Sequence, residues 1–278
     1  MKNRIVKVGD QRQLTMKDFS VNGTVVEVNG IETERQKGIL CSYDVEGYGI
    51  TSPFFIPDGS VLSEHIDSRR GLSGMPREYV YKDSRHFDWT LYGEDVGLQK
   101  KIINSFVIRF DTFRKEGRGL YIQSKTKGSG KTLLACCIAN EILKRNDISV
   151  KFISMIDYIE LVKSKNEDAR EKRNKLKECT LLIVDDIGAQ IEDKEWIISS
   201  IFELVNRRYS DLLPTIYTSN LPIEELKCGE RSTERIYDVS IPLIIPEKNI
   251  RRKKADEQNA TFLRSVLGQE ESQEKSIF

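Results

Sequence analysis

Between the apolar triplet Leu120-Tyr121-Ile122 and an apolar helix start at Leu133-Leu134-Ala135, the chain reads Lys125-Thr126-Lys127-Gly128-Ser129-Gly130-Lys131-Thr132. Glycines let a backbone come close to a bulky anion, and successive N–H groups in such a turn converge on phosphate oxygens. A helix that begins directly after the turn adds the partial positive charge of its N-terminus. In that arrangement the residues from Lys127 to Leu133 would cradle a triphosphate. The Lys131 ammonium would meet the β- and γ-phosphates, and the Thr132 hydroxyl would ligate Mg2+. One position departs from the usual pattern, which has glycine five residues before Gly130 where this chain has Lys125. Lysine tolerates left-handed backbone poorly, so a reshaped loop entrance is expected.

A second constellation lies further on, in Leu181-Leu182-Ile183-Val184-Asp185-Asp186. Strands covered on both faces do not end in adjacent carboxylates without a reason, because unpaired buried charge is costly. At the carboxyl edge of a parallel sheet, beside a phosphate loop, two such acids meet a metal and an attacking water. Asp185 is the metal-side acid in this reading, and Asp186 polarises the water. The run Tyr217-Thr218-Ser219-Asn220 then sets Asn220 where a neighbouring strand approaches the γ-phosphate, with Thr218 and Ser219 as weaker candidates. In Gly229-Glu230-Arg231-Ser232-Thr233-Glu234-Arg235-Ile236 an arginine could neutralise charge on a transferred phosphoryl group, often one held by a neighbouring subunit. Arg235 is the better candidate and Arg231 the second. Arg251 and Arg252, after one more apolar stretch, could reach the phosphates from the same subunit.

These residues need a scaffold, and the pattern from residue 119 onward supplies one. Leu120–Ile122, Val150–Ile153, Leu181–Val184, Thr215–Thr218 and Ile241–Ile244 read as strands. Amphipathic helices separate them; Glu195–Tyr209, for example, has Trp196, Ile197, Ile201, Leu204 and Val205 on one side. Strand-helix alternation of this kind predicts a parallel sheet covered on both faces. Upstream, residues 76–118 read as a connector and entry helix, with Ile102, Ile103, Phe106, Val107 and Phe110 on one face and the aromatics around Phe87 and Trp89 as core. Residues 1–75 are rich in glycine and β-branched residues. Two Asn-Gly steps, Asn22-Gly23 and Asn29-Gly30, flank Val25, Val26 and Val28 as hairpin turns would, which predicts a small β-rich domain. Gly47 to Asp58 reads either as a docking loop or as ordinary turns. Residues 267–278 read as a polar tail, disordered over Gln269 to Ser276.

Bulk properties narrow the class. With 38% hydrophobic and 31% charged residues the 278-residue chain has the balance of a soluble globular protein. A formal net charge of +1 provides no global field for nucleic acid, so any such contact must come from a local patch. Five cysteines without a CxxC pair suit reduced thiols, and the basic Met1 to Asp10 start has no apolar stretch behind it. A cytoplasmic protein with no membrane segment is expected.

The order Gly128-Ser129-Gly130-Lys131-Thr132, Leu181 to Gly188, Thr218-Ser219-Asn220 and Gly229 to Arg235 resembles the bacterial replicative-helicase loaders of the DnaC/DnaI type, over roughly residues 76–256. Asn206-Arg207-Arg208-Tyr209 followed by Pro214-Thr215-Ile216 is similar to the same group. The resemblance implies an α/β fold: an AAA+ P-loop NTPase core of five parallel strands flanked by helices over residues 119–266, preceded by the β-rich N-terminal domain. It also implies ATP and Mg2+ as ligands, with Lys131, Thr132, Asp185, Asp186 and Asn220 in the roles above, Arg235 as the finger arginine and Arg251 as a second sensor. Relatives place Glu where Asp186 stands, and the shorter Asp bears on the rate of hydrolysis. Lys163, Lys165, Lys172 and Arg173, between the second and third strands, match a helix that in the family lines a channel for single-stranded DNA; a mixed-charge helix is as readily a solvated face.

The implied function is ATP-dependent loading of a ring-shaped replicative DNA helicase onto single-stranded DNA by a self-associated ATPase, with the helicase met by the N-terminal domain. Loaders of the DnaI type often carry a zinc-binding head, whereas Cys41 and His65 are the possible ligands here, and two ligands do not make a structural zinc site. A partner-docking module specific to a phage or mobile element fits better. The alternatives are an IstB-like transposition helper that recruits a transposase to DNA, and a non-catalytic adaptor for which nucleotide is a structural ligand.

Overall fold

The computed structural model describes residues 8–9, 11–16, 19–32, 37–47, 49–52, 54–57, 66–188 and 194–270. The chain divides into two compact units, Met1–Ser68 and Arg69–Phe278. Residues 69–75, grouped with the N-terminal zone by composition, belong to the second unit. Arg69 Nη1 donates to the Asn146 carbonyl at 2.9 Å, and Phe152 N–H donates to the Ser73 carbonyl at 2.8 Å.

The first unit is an antiparallel sheet of β1 (Gln11–Met16), β2 (Phe19–Glu32), β3 (Lys37–Val45), β4 (Gly49–Ile50) and β5 (Phe54–Pro57), in the order β1-β2-β3-β4 with β5 also on β3. The expected turns at the Asn-Gly steps do not form, since both steps lie inside the single strand β2. Gly23 is laddered on both sides, to Arg12 and to Val45. Turning there would forfeit backbone bonds worth about 0.5–1.5 kcal/mol each, more than a local turn preference returns. The irregularity is instead a bulge between Val25 and Glu27. The Gly47 to Asp58 stretch contains β4 and β5, and His65 lies outside the described residues.

The second unit holds the five expected strands as β6 (Gly119–Gln123), β7 (Val150–Ser154), β8 (Leu181–Asp185), β9 (Thr215–Ser219) and β10 (Ser240–Ile244), all parallel in the order β10-β6-β9-β8-β7. Alternate side chains enter two cores, as a pleated strand requires. Leu120, Ile122, Leu181, Ile183, Ile216 and Leu243 pack with α1 (Gly97–Ile108) and α3 (Lys131–Leu143). Tyr121, Leu182, Val184 and Tyr217 pack with α4 (Met155–Lys163), α5 (Glu167–Glu178) and α6 (Glu195–Ser210). Along α6 the periodic residues Ile197, Ile201, Leu204 and Val205 are buried, while Trp196, expected beside them, is exposed. Phe87, Tyr92, Phe106 and Phe110 are core, in agreement with the reading of residues 76–118; Phe110 opens the short α2 (Phe110–Lys115).

Helix ends are fixed by local chemistry. Ser154 and Asn166 cap α4 and α5 by accepting from Asp157 N–H and Ala169 N–H, and α5 begins with Glu167 and Asp168 and closes with Lys175 and Lys177, as its dipole favours. After α7 (Glu230–Val239) and β10 the chain ends its described part in α8 (Ile250–Glu270), so the first residues of the expected polar tail are helical; residues 271–278 lie outside the described part. No described helix is long and apolar enough to cross a membrane. Cys136, Cys137, Cys179 and Cys228 are buried thiols unlinked by disulfides.

Arg208, part of the Asn-Arg-Arg-Tyr run, is 1% exposed and ties three elements together. Its guanidinium donates to the Leu176 and Cys179 carbonyls at 2.9 Å, to the Pro214 carbonyl at 2.8 Å and to Thr215 Oγ1 at 2.9 Å. Removing it would leave those acceptors buried and unpaired. Arg208→Ala is therefore expected to lower the unfolding free energy by about 3–5 kcal/mol in a denaturant titration, with Arg208→Lys in between because an ammonium reaches fewer acceptors. A loss below about 1 kcal/mol would show that the carbonyl network is not what holds this corner.

Candidate functional site

The sheet order brings the carboxyl ends of β6, β9 and β8 side by side, so the segments that follow them share one edge. After β6 comes the glycine-rich loop. Gly128 and Gly130 have φ of 75° and 94°, the left-handed region that favours glycine. A Cβ on Gly128 would stand 2.7 Å from Asn249 Oδ1, and one on Gly130 would stand 2.8 Å from Ile250 Cδ1. Ser129 and Lys131 are buried, Lys127 is exposed on the loop, and Thr132 and Leu133 are half-buried at the start of α3.

The expected reshaping by Lys125 takes a specific form. Among the described non-glycine residues only Asp186 and Leu212 have positive φ, so Lys125 is not left-handed. Its N–H and that of Thr126 donate to the Glu247 carboxylate, at 2.8 and 2.6 Å. Sequence reasoning missed Glu247, which carries no motif; it lies in the short link between β10 and α8. Tyr92, which sequence reasoning did not single out, donates its hydroxyl to the Ser129 carbonyl at 2.6 Å.

The polar groups from the three segments form one connected network. Lys131 Nζ donates to Asn220 Oδ1 at 2.7 Å and to the carbonyls of Ser124 and Thr126 at 3.0 and 3.2 Å. Asn220 Nδ2 donates to Asp186 Oδ1 at 3.1 Å. Asp186, at φ 57°, is held in left-handed backbone while its N–H donates to Thr218 Oγ1 at 2.9 Å. Thr218 in turn donates to Asp185 Oδ1 at 2.7 Å, which gives that residue a larger part than its rank as a weaker candidate suggested. Strain of this kind persists where the surroundings over-determine it, as they do here. Burial pulls the Lys131 ammonium below its usual range, against the opposing fields of Asp186, Glu247 and Asp185. Burial pushes the Asp185 carboxyl up, opposed by hydrogen bonds from Thr218 and Thr132.

Thr132 and Asp185 thus meet as a hydroxyl and a carboxylate, a donor set suited to a hard, oxygen-seeking cation that takes its remaining ligands from phosphate and water. No cluster of three or more His, Cys, Asp or Glu that could hold a metal unaided occurs among the described residues. A cavity of about 580 Å³ opens over the loop, lined by Gly128 to Leu133 together with Tyr79, His86, Ile250 and Arg251. Arg251 sits at the N-terminus of α8, its N–H on the Gly128 carbonyl at 3.0 Å.

Arg235 is elsewhere. It lies on α7 beside a separate cavity of about 1100 Å³ that shares no lining residue with the first. Its guanidinium stacks 4.9 Å from the Phe202 ring and 5.5 Å from the Tyr209 ring, and its Nε has no hydrogen-bond partner among the described residues. Of the basic residues between β7 and β8, Lys165 and Lys172 are exposed and Lys163 pairs with Glu160 at 2.6 Å. Arg173 donates to the Leu161 and Ser164 carbonyls at 2.8 and 2.9 Å, closing the end of α4.

A five-stranded parallel sheet in this order, with a Gly-x-Gly-Lys-Thr loop and an acid pair at its carboxyl edge, defines a P-loop protein of the AAA+ class. Comparison with known proteins is specific about which. The chain belongs to the family of IstB-like ATP binding proteins, whose model matches residues 87–229. It is 33% identical over 115 residues to the replicative helicase loader DnaI of Bacillus subtilis (strain 168), and 37% identical over 123 residues to the replicative helicase loader DnaC of Escherichia coli (strain K12). Those stretches are 40% and 42% of this chain, and they span 36% of DnaI and 49% of DnaC. The crystal structure of a DnaI superposes with a TM-score of 0.53 and 28% identity, covering 65% of this chain and 98% of that one.

The raised Asp185 carboxyl makes a prediction about stability. A native value above the ordinary 3.8 means that the native state binds this proton more tightly than the unfolded chain does. The group therefore opposes folding at neutral pH, and the opposition fades as pH falls through the native value. Asp185→Asn is expected to raise the melting temperature of the nucleotide-free protein at pH 7 by about 2–4 °C, with a smaller gain near pH 4. Equal melting temperatures at pH 7 would show that Asp185 bears no such strain.

Proposed function

We propose that this chain is an ATP-dependent loader that hydrolyses ATP at subunit interfaces and places a hexameric replicative DNA helicase onto single-stranded DNA. The observation that carries the ATPase reading is the Lys131–Asn220–Asp186 network, because it joins three segments far apart in sequence where a triphosphate would sit. The loop amides from Lys127 to Leu133 would bind the phosphates, and Lys131 would exchange its carbonyl partners for the β- and γ-oxygens. Asp186 would take a proton from the attacking water, with Asn220 orienting it. Thr132 and Asp185 would hold Mg2+, whose charge offsets that of the phosphates. Arg251 would contact phosphate from the same subunit. Arg235, which does not line the phosphate-loop cavity and is incompletely hydrogen-bonded, would reach the γ-phosphate of a neighbour.

The helicase and DNA parts of the reading rest on likeness to proteins named as replicative helicase loaders. Contact with single-stranded DNA is placed on Lys165 and Lys172, with Lys163 exchanging its Glu160 partner and Arg173 holding the α4–α5 corner on which they sit. The N-terminal unit, residues 1–68, would dock the partner. A second reading, an IstB-like transposition helper, is suggested by the family's description as IstB-like ATP binding proteins.

Lys131→Ala is expected to abolish nucleotide binding. Asp186→Asn should spare binding and slow turnover about a hundredfold or more, and an unchanged hydrolysis rate would remove Asp186 from its role. Arg235→Ala should also suppress hydrolysis in the assembly, while mixing it with Asp186→Asn should restore part of it by pairing an intact arginine with an intact acid. No recovery on mixing would argue against shared sites. Affinity capture with the full chain from native lysate separates the two biological readings: a hexameric helicase supports loading, and a transposase supports the alternative.

A further inference from the structure

The link between β10 and α8 runs along the whole phosphate loop. Glu247 accepts from Lys125 N–H at 2.8 Å, Thr126 N–H at 2.6 Å and Ser124 Oγ at 3.2 Å. Asn249 fills the space beside Gly128, Ile250 that beside Gly130, and Arg251 N–H holds the Gly128 carbonyl at 3.0 Å. Lys248 Nζ donates to the Tyr92 carbonyl, whose own hydroxyl donates to the Ser129 carbonyl at 2.6 Å. Residues 247–251 therefore form a strap, and Glu247 closes its first end at the position where the usual loop has glycine.

We infer that Glu247 is a positioning residue for the nucleotide: its carboxylate latches the entrance of the phosphate loop to the root of α8, so that the amides from Gly128 to Thr132 face a triphosphate in one arrangement. The inference rests on the nucleotide-binding reading above and adds a residue to it. A loop without the latch spends part of its time in other arrangements, and apparent affinity falls by the competent fraction. Electrostatics alone predicts the opposite. Glu247 is an anion beside a site for polyanions, and its field already acts on Lys131, so removing it would tighten binding if the field dominated. Sign of the effect therefore separates a latch from a mere charge.

The test uses the full chain with Mg2+ and a fluorescent ATP analogue (mant-ATP), in wild type, Glu247→Gln and Glu247→Ala. Glutamine keeps one acceptor oxygen of the two, whereas alanine keeps neither. The expected order is wild type tightest, then Glu247→Gln, then Glu247→Ala with a Kd raised about three- to tenfold, the range suited to an exposed contact that water can partly replace. Hydrogen exchange at the Lys125 and Thr126 amides should quicken in both variants. Affinities within twofold of wild type, or tighter binding in either variant, would overturn the latch, as would a fall in melting temperature with Kd unchanged. Should Glu247→Ala fail to fold, the isosteric Glu247→Gln decides by the same criterion. Wild type that binds no mant-ATP would remove the nucleotide site itself, whereas wild type that binds while both variants match it removes the latch alone.

Discussion

An ammonium and two carboxylates have to share one edge of a sheet with little water to keep them apart, and much of the second unit follows from how they are held. Lys131 is buried, Asp185 and Asp186 are half-buried, and burial works against the charged forms of both Lys131 and Asp185. None of these groups is satisfied by its own segment alone. Lys131 depends on carbonyls of the loop and on Asn220, Asp186 on Asn220 and Thr218, and Asp185 on Thr218. The strand order is what makes this sharing possible, because β9, which supplies Thr218 and Asn220, lies between β6 and β8. A sheet with another order would part Asp185 and Asp186 from Thr218 and Asn220.

The site also reaches outward in two directions. Through Glu247, Ile250 and Arg251 it is joined to the root of α8, on which Phe262, Leu263 and Val266 are exposed. Arg235 lines a different cavity, which reaches the loop at Lys125 and includes none of Gly128 to Leu133.

Periodicity and motif order carried a good deal of this. The five strands, the α6 helix and the aromatic core of residues 76–118 were legible because alternation and helical spacing are properties of the chain read locally. The P-loop and the acid pair were legible because phosphate chemistry demands particular residue types at short spacing. The N-terminal hairpin turns failed for the converse reason. Asn22-Gly23 and Asn29-Gly30 have strong local turn chemistry, but long-range pairing with β1 and β3 overrode it. Trp196 failed likewise, since a helical face tells which residues adjoin one another, not how far the neighbouring layer extends.

What the sequence by itself determined is the inventory: a phosphate loop, an acid pair, a polar strand end and the parallel alternation that must bring them together. Only the tertiary structure decided the partnerships. Glu247 is one glutamate among many until β10 pairs beside β6 and carries the following link across the loop entrance. Arg208 and Arg173 look like surface cations and turn out to hold carbonyls of other elements. The reason is physical: residue type and spacing report on the bonds a segment makes with itself, whereas a buried charge takes its partner from whatever the fold places within 3 Å or so.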